Sequence, residues 1–295
     1  MFTIFGIPGP LLFGQLLLGL INGAFYAMLS LGLAVIFGLL NIINFAHGAL
    51  FMMGAFVAWM LLNYLGINYW FALLLAPLIV GAFGFVLEKT IISRLYALDH
   101  LYGLLLTFGL ALVLEGLFRN AYGSSGMPYQ IPALLSGAVN LGFMFLPVYR
   151  GWVIVAALVV CIATWMLIEK TKLGSLLRAA TENPALVQAF GVNVPRLVTL
   201  TFAGGVALAA FAGVLAAPIY SVNPNMGSNF INTVFAVVVI GGMGSIFGAI
   251  VSGFGLGVIE GLTKVFYPQA SDTVIFVVMV LVLLTRPAGL FGKAA

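Results

Sequence analysis

Ionisable and amide side chains are so sparse in this chain that each one poses a chemical question. From Met1 to Leu87 there is no Asp, Glu, Lys or Arg, and the first histidine, His47, falls inside "LLNIINFAHGALFMMG" with Asn41, Asn44 and Gly48 around it. Two arrangements fit these residues. Amides and an imidazole can satisfy peptide groups freed where a helix breaks inside a membrane, which is tolerated only beside protein or a water-filled cavity. The same residues can instead tie together a turn between two helices at the inner face. Metal ligation by His47 is not indicated, since no second His, Cys or carboxylate lies near it in sequence.

The acids that fall within apolar stretches are equally few. Glu115 in "FGLALVLEGLFRN" is followed at i+4 by Arg119, and Glu260 by Lys264 at the same spacing. An ionisable group inside a span is a functional candidate by default. An i, i+4 ion pair near an interface is the simpler reading, and both pairs are expected to be of that kind. Cys161 sits alone in "VIVAALVVCIATWML", which leaves no disulfide and no Cys-based metal site. Two histidines, one cysteine and scattered acids make no catalytic constellation, so no catalytic residue is assigned. The glycine-rich "GGMGSIFG" lacks the Lys-Ser/Thr of a phosphate-binding loop. Any use of ATP would therefore fall to another chain. "NPA" at Asn183–Ala185 stands in the most charged segment, where a buried half-helix of the water-channel kind would be costly.

The elements that must position these groups follow from composition. Of 295 residues 63% are hydrophobic and 6% charged, with mean hydropathy +1.23. A soluble domain carries about 25% charged residues, so the chain is expected to be an all-α, polytopic integral membrane protein. The net charge of +4 shows no dense basic face, and no nucleic acid is expected as a partner. Apolar segments cover roughly 11–30, 32–45, 48–65, 70–88, 101–118, 151–169, 197–217, 230–242, 246–266 and 273–290. Several reach the roughly 20 residues needed to cross a 30 Å hydrocarbon core. The second and eighth are short, so the reading is a single domain over 1–295, a bundle of eight to ten membrane segments including short or broken helices.

Lys and Arg concentrate in retained loops. Lys170, Lys172, Arg178 and Arg196 mark about 170–196 as cytoplasmic, as do Lys89 with Arg94 and the terminal Arg286 with Lys293. With ten segments, both termini fall inside. A faint internal repeat pairs "INFAHG" and "GGMGS", each between two apolar segments, and interrupted segments in two halves point to a transport pathway. Small residues recur every four positions at Gly19–Gly23, Gly205–Ala209–Gly213 and Gly253–Gly257–Gly261, faces that let a neighbouring backbone approach closely.

The cytoplasmic segment carries its own local signals. In "TENPALVQAFG", Asn183 is an N-cap, Pro184 takes the first helical position and Gly191 the stop. Leu186, Ala189 and Phe190 fall on one face. So short a helix is marginal alone in water and needs something to pack on.

These stretches carry a resemblance. "GLINGAFYAMLSLGLAVIFGLLNIINFAHGALFMMGAF", "RAATENPALVQAFGVNVPRLVTLTFAGGVALAAFAGVLAAP", "VVVIGGMGSIFGAIVSGFGLGVIEGL" and the terminal "TRPAGLFG" resemble the branched-chain amino-acid ABC-transporter permeases of the LivH type over nearly the whole chain. The resemblance implies a multi-pass subunit of the bacterial inner membrane, set among lipid. Its implied partners are a second, homologous permease, two cytoplasmic ATPases and a periplasmic or extracellular solute-binding protein. No cofactor is implied on this chain; ATP-Mg would be used by the ATPases. By analogy Lys172–Val194 is the coupling segment, with Arg178, Glu182, Asn183, Pro184, Leu186, Phe190 and Gly191 as its candidate residues. Asn22, Asn41, Asn44, His47 and Gly48 are the candidates for the pathway or its broken helix. The cargo implied is a branched-chain amino acid or a related small polar solute. A passive channel, or a proton-coupled carrier with Glu115 or His47 as relay, for urea or an amide, is the competing reading; it leaves the cytoplasmic helix unexplained.

Overall fold

A computed structural model describes residues 3–4, 7–40, 44–96, 98–142 and 144–292, so Asn41 and Lys293 lie outside the described residues. The chain is built of helices. After a short antiparallel pair, β1 (Thr3–Ile4) and β2 (Ile7–Pro8), come α1 (Gly9–Leu40), α2 (His47–Leu65), α3 (Tyr69–Thr90) and α4 (His100–Tyr122). A hairpin of β3 (Ala138–Asn140) and β4 (Phe145–Pro147) leads into α5 (Val148–Lys170). Then follow α6 (Lys172–Glu182), α7 (Pro184–Ala189), α8 (Val194–Tyr220), α9 (Met226–Gly241), α10 (Ile246–Phe266) and α11 (Val274–Thr285). Seven of them (α1, α2, α3, α4, α5, α8 and α10) are long and apolar enough to cross a membrane, and α9 and α11 are shorter apolar helices.

The expected segments 11–30 and 32–45 do not separate: α1 is one helix of 32 residues. Ser30, at the expected boundary, is no breaker, because its hydroxyl folds back on the Ala27 carbonyl and also reaches that of Ala249. Elsewhere the punctuation is local. Gly66 ends α2 at φ +65, where Gly66 N–H reaches Leu62 O and Ile67 N–H reaches Leu61 O. Two residues on, the Asn68 side chain caps α3 by accepting from Phe71 N–H.

The chain divides into two compact units. One holds Leu31–Gln130 and Ile162–Asn232. Its core joins Ile36 of α1, Leu50 of α2, Val80 and Leu87 of α3, and Phe202, Val206 and Ala210 of α8. Small residues bring these backbones together: a Cβ added at Gly54 would stand 2.3 Å from Ala210 O, and one at Gly213 would stand 2.1 Å from Phe51 O. The other unit holds the chain to Ser30, Ile131–Cys161 and Thr233 onward. In it α1 packs on α10, and the chain after α11 folds back on the end of α9, with Leu290 N–H on Ile240 O at 2.8 Å.

Candidate translocation and coupling sites

Between α1 and α2 the backbone is irregular over Asn44–Ala46, and its polar groups find specific partners. Phe45 N–H donates to Thr107 Oγ1 of α4 at 3.1 Å, and His47 N–H to Asn44 O at 3.3 Å. Asn44, His47 and Thr107 are fully buried. The Asn44 side-chain amide makes no hydrogen bond among the described residues. A buried polar group without a partner carries a penalty of about 1–3 kcal/mol. Gly48 lies against the start of α9: a Cβ there would fall 2.6 Å from Gly227 O.

The depth of this break follows from its neighbours. A Cβ on Gly32 would lie 2.7 Å from Gly205 O and 3.0 Å from the His47 ring, so His47 stands level with Gly205. Gly205 is eleven residues past the start of α8 at Val194, a rise of about 16 Å at 1.5 Å per residue. His47 is thus set well inside the length of α8, not at its end. Replacing Asn44 by Leu is expected to leave the fold intact and cut solute uptake at least tenfold in membranes. Unchanged uptake by the folded variant would remove Asn44 from the pathway.

Glu115 and Arg119 do not form the expected ion pair among the described residues. Arg119 instead donates to Asn225 Oδ1 at 2.6 Å, while its charge still acts on Glu115 one turn back.

The segment between α5 and α8 is fixed by short-range chemistry. Thr171 caps α6 and Asn183 caps α7, the latter accepting from Leu186 N–H at 3.0 Å. Pro184 holds the first position of α7, and Gly191 follows it at φ +83, in the left-handed region that favours glycine. Arg178 on α6 pairs with Glu169 at the end of α5 at 3.2 Å, with Glu182 in the last turn of α6. Gly174 lets α6 fold tightly against α5, where a Cβ would collide with Ile168 O. The face turned to the protein's own core is the one opposite the Leu186, Ala189 and Phe190 stripe. Val187 packs with Ala180 and Val194, whereas Leu186 is 54% and Phe190 79% exposed. Leu186 and Phe190 do share a face, and it points away from the protein's own core.

The second unit holds the remaining candidates. Gly253 backs onto Ala27, Gly257 onto Gly19 and Gly23, and Gly261 onto Gln15 and Gly19, every added Cβ falling within about 2.5 Å of α1 backbone. Asn22, expected in the pathway, donates to Glu260 Oε1 at 3.3 Å. Tyr26 donates its hydroxyl to Glu260 Oε2 at 2.7 Å, and Lys264 completes the cluster. The expected Glu260–Lys264 pair forms, but Glu260, only 5% exposed, is buried and is the acceptor at the centre of the α1–α10 contact. Its partners stand 238 and 234 residues away in sequence. The one available signal was Asn22 and Tyr26 at i, i+4 in a stretch without charge.

With the geometry described, comparisons with known proteins place the chain. Residues 15–283 match the family model described as branched-chain amino acid transport system, permease component. The chain is 31% identical over 292 residues to the high-affinity branched-chain amino acid transport system permease protein BraD of Pseudomonas aeruginosa, covering 95% of each. It is 29% identical over 294 residues to LivH of Escherichia coli, again covering 95% of each. It is 27% identical over 290 residues to LivM of Salmonella typhimurium, 90% of this chain and 67% of that one. No solved structure matches. Seven long apolar helices and a match over nearly the full length agree: this chain is a membrane transport component, a member of the branched-chain amino acid transport system permease family.

Proposed function

We propose that the chain forms the translocation pathway of a binding-protein-dependent ABC importer for branched-chain amino acids or a related small polar solute. Transport is driven by ATP-Mg hydrolysed on two separate ATPase subunits, and a solute-binding protein delivers the cargo. The observation that carries this reading is the α6–α7 segment. It is locally capped, anchored by Val187, and presents Leu186 and Phe190 outward, exposed among the described residues. A channel or carrier has no use for such a face, whereas an importer needs a place for its motor to grip.

Two features shape the rest of the proposal. Relatives of this chain include both LivH and LivM permeases, which supports pairing with a second, homologous permease. The basic residues of 170–196 support a cytoplasmic position for that segment at the inner membrane. Because residues 11–45 contribute only α1, the apolar helices among the described residues number nine, not ten. An odd count leaves the C-terminus cytoplasmic and moves the N-terminus to the outer side. The break at Asn44–Gly48, with its unbonded buried amide, is where a zwitterion would exchange water for amide and imidazole contacts on its way through.

The test is affinity purification of the tagged protein from its native membrane, with mass spectrometry of the co-purifying chains. Two ATPases and a second permease are expected with the wild type and lost with Glu182→Lys or Gly191→Leu. A protein that purifies alone and moves solute in liposomes without ATP is instead a channel or carrier.

A further inference from the structure

The membrane-facing side of α3 and α8 carries a feature that transport does not require. At the end of α3 nearest the coupling segment, a cavity of about 990 Å³ is lined by Phe85, Glu88, Lys89, Tyr96, Arg196 and Thr199, with α6 and α7 residues closing it. Next to it an apolar groove of about 490 Å³ runs between the two helices over Leu78, Ala82, Phe85, Ala203, Gly204 and Ala207. Phe85 lines both, and the Lys89 ammonium stands 5.9 Å from its ring centroid.

The two stripes match in register. On α3 the order is Leu78, Ala82, Phe85, Lys89, and on α8 it is Ala207, Ala203, Leu200, Arg196. Each is a 3.6-period face of one helix. Pro77 and Leu78 line the groove with Ala207, and Lys89 lines the cavity with Arg196, so the helices run antiparallel and both cations arrive at the same end. Eleven residues separate the ends of each stripe, about 16 Å of helix. That is close to half of a 30 Å hydrocarbon core, the thickness of one leaflet.

The polar end holds both signs of charge. Glu88 is 1% exposed; its Oε1 accepts the Tyr96 hydroxyl at 2.6 Å, and its Oε2 has no hydrogen-bond partner among the described residues. Burial, and then Glu88, hold the Tyr96 hydroxyl above its ordinary pKa, so it stays a donor. Lys89 and Arg196 are exposed and make no ion pair among the described residues. A carboxylate oxygen wanting a donor, two cations wanting an anion, and an apolar trough one leaflet long select one kind of molecule.

We infer that this cavity and groove form a site for a phospholipid with a primary-amine headgroup, from the leaflet on the side of the coupling segment. Its ammonium meets Glu88, its phosphate meets Lys89 and Arg196, and one acyl chain lies along Gly204 and Ala207. A free amino acid shares the ammonium and the anion but has nothing to fill 16 Å of groove. Because the cavity is closed by Ala180, Thr181, Pro184 and Gln188, the lipid headgroup braces α6 and α7 from the membrane side. This inference needs only that the helices span a bilayer, and it stands or falls apart from the identity of the cargo.

The experiment is native mass spectrometry of the full-length protein in detergent, titrated with phosphatidylethanolamine, phosphatidylglycerol and phosphatidylcholine of equal chain length. Phosphatidylethanolamine is expected to bind as a single adduct, at least tenfold more tightly than phosphatidylcholine. Glu88→Gln should erase that preference, and Lys89→Ala with Arg196→Ala should weaken all phospholipids. Gly204→Leu should block binding while leaving the fold intact, because a Cβ at Gly204 meets nothing within 4 Å. Equal binding of the three lipids, or binding unchanged by Gly204→Leu, overturns the site. So does displacement of the lipid by millimolar leucine, which would make the cavity an amino-acid site.

Discussion

Aspartate at both Leu186 and Phe190 is expected to abolish ATP-driven uptake while the permease still folds, inserts and can be purified in normal amount. Three local features hold α7 in place. Its cap is the Asn183 side chain, its anchor is Val187 against Ala180 and Val194, and its stop is Gly191 at φ +83. None of these is touched by the two substitutions. Leu186 and Phe190 contribute little to the chain's own core, being 54% and 79% exposed. Covered by a partner, each would contribute about 1.5–3 kcal/mol through burial. Aspartate forfeits that and adds a carboxylate to be desolvated. A loss of about 4 kcal/mol or more weakens docking on the order of a thousandfold. The measurement is leucine uptake and ATP hydrolysis by the reconstituted complex, with co-purification of the ATPases read alongside. Val187→Asp separates the two roles, since it should unfold the segment itself. Leu134→Asp, at an equally exposed residue of the 123–147 loop, should change nothing. Full uptake by the double variant would mean that the motor grips elsewhere.

How far the sequence reaches can be judged at this same segment. The cap, the first-position proline and the glycine stop depend on residues within four of each other, and such chemistry is read directly from the chain. The choice of buried face is a different matter. Leu186, Ala189 and Phe190 form the more apolar stripe, yet the side turned inward is the one carrying Val187, because Ala180 and Val194 lie there. Periodicity finds the stripe; only the tertiary neighbours decide whether it faces the core or a partner. The membrane helices repeat the lesson. Nine apolar helices among the described residues fall inside the expected eight to ten; the false boundary at Ser30 arose because a lone serine inside an apolar run can return its hydroxyl to the helix's own carbonyls. The fold class needed only composition. The surroundings of Asn44 and the α3–α8 groove needed contacts between residues over sixty positions apart.

Glu260 is where the gap between local and long-range reading has the largest energetic consequence. Sequence offers a pair with Lys264; the structure adds Tyr26 and Asn22 from α1, so one carboxylate serves three donors across a contact otherwise made of glycine backbone. Those glycines, Gly253, Gly257 and Gly261, bring α10 close but carry no directional bond, so register along α1 rests on Glu260 and, nearer the other end of α10, on the Ser30 hydroxyl against Ala249 O. Glu260→Ala removes the acceptor and strands the Lys264 ammonium, the Tyr26 hydroxyl and the Asn22 amide. Removing one member of a buried pair is worth about 3–5 kcal/mol. The lower end applies here, since the Lys264 side chain is 35% exposed and can extend toward water. Glu260→Gln keeps an acceptor for Tyr26 and is expected to lose less. Glu260→Leu with Lys264→Leu removes the stranded charge and should recover much of what the alanine variant loses. The measurement is thermal unfolding of the purified protein in one detergent, by the loss of monodisperse material on size exclusion. The order expected is wild type, Glu260→Gln, the double leucine variant, then Glu260→Ala. An alanine variant as stable as wild type would show that glycine packing and the Ser30 bond set the register without Glu260. A stable Glu260→Gln that fails in uptake would move Glu260 out of the scaffold and into the transport cycle.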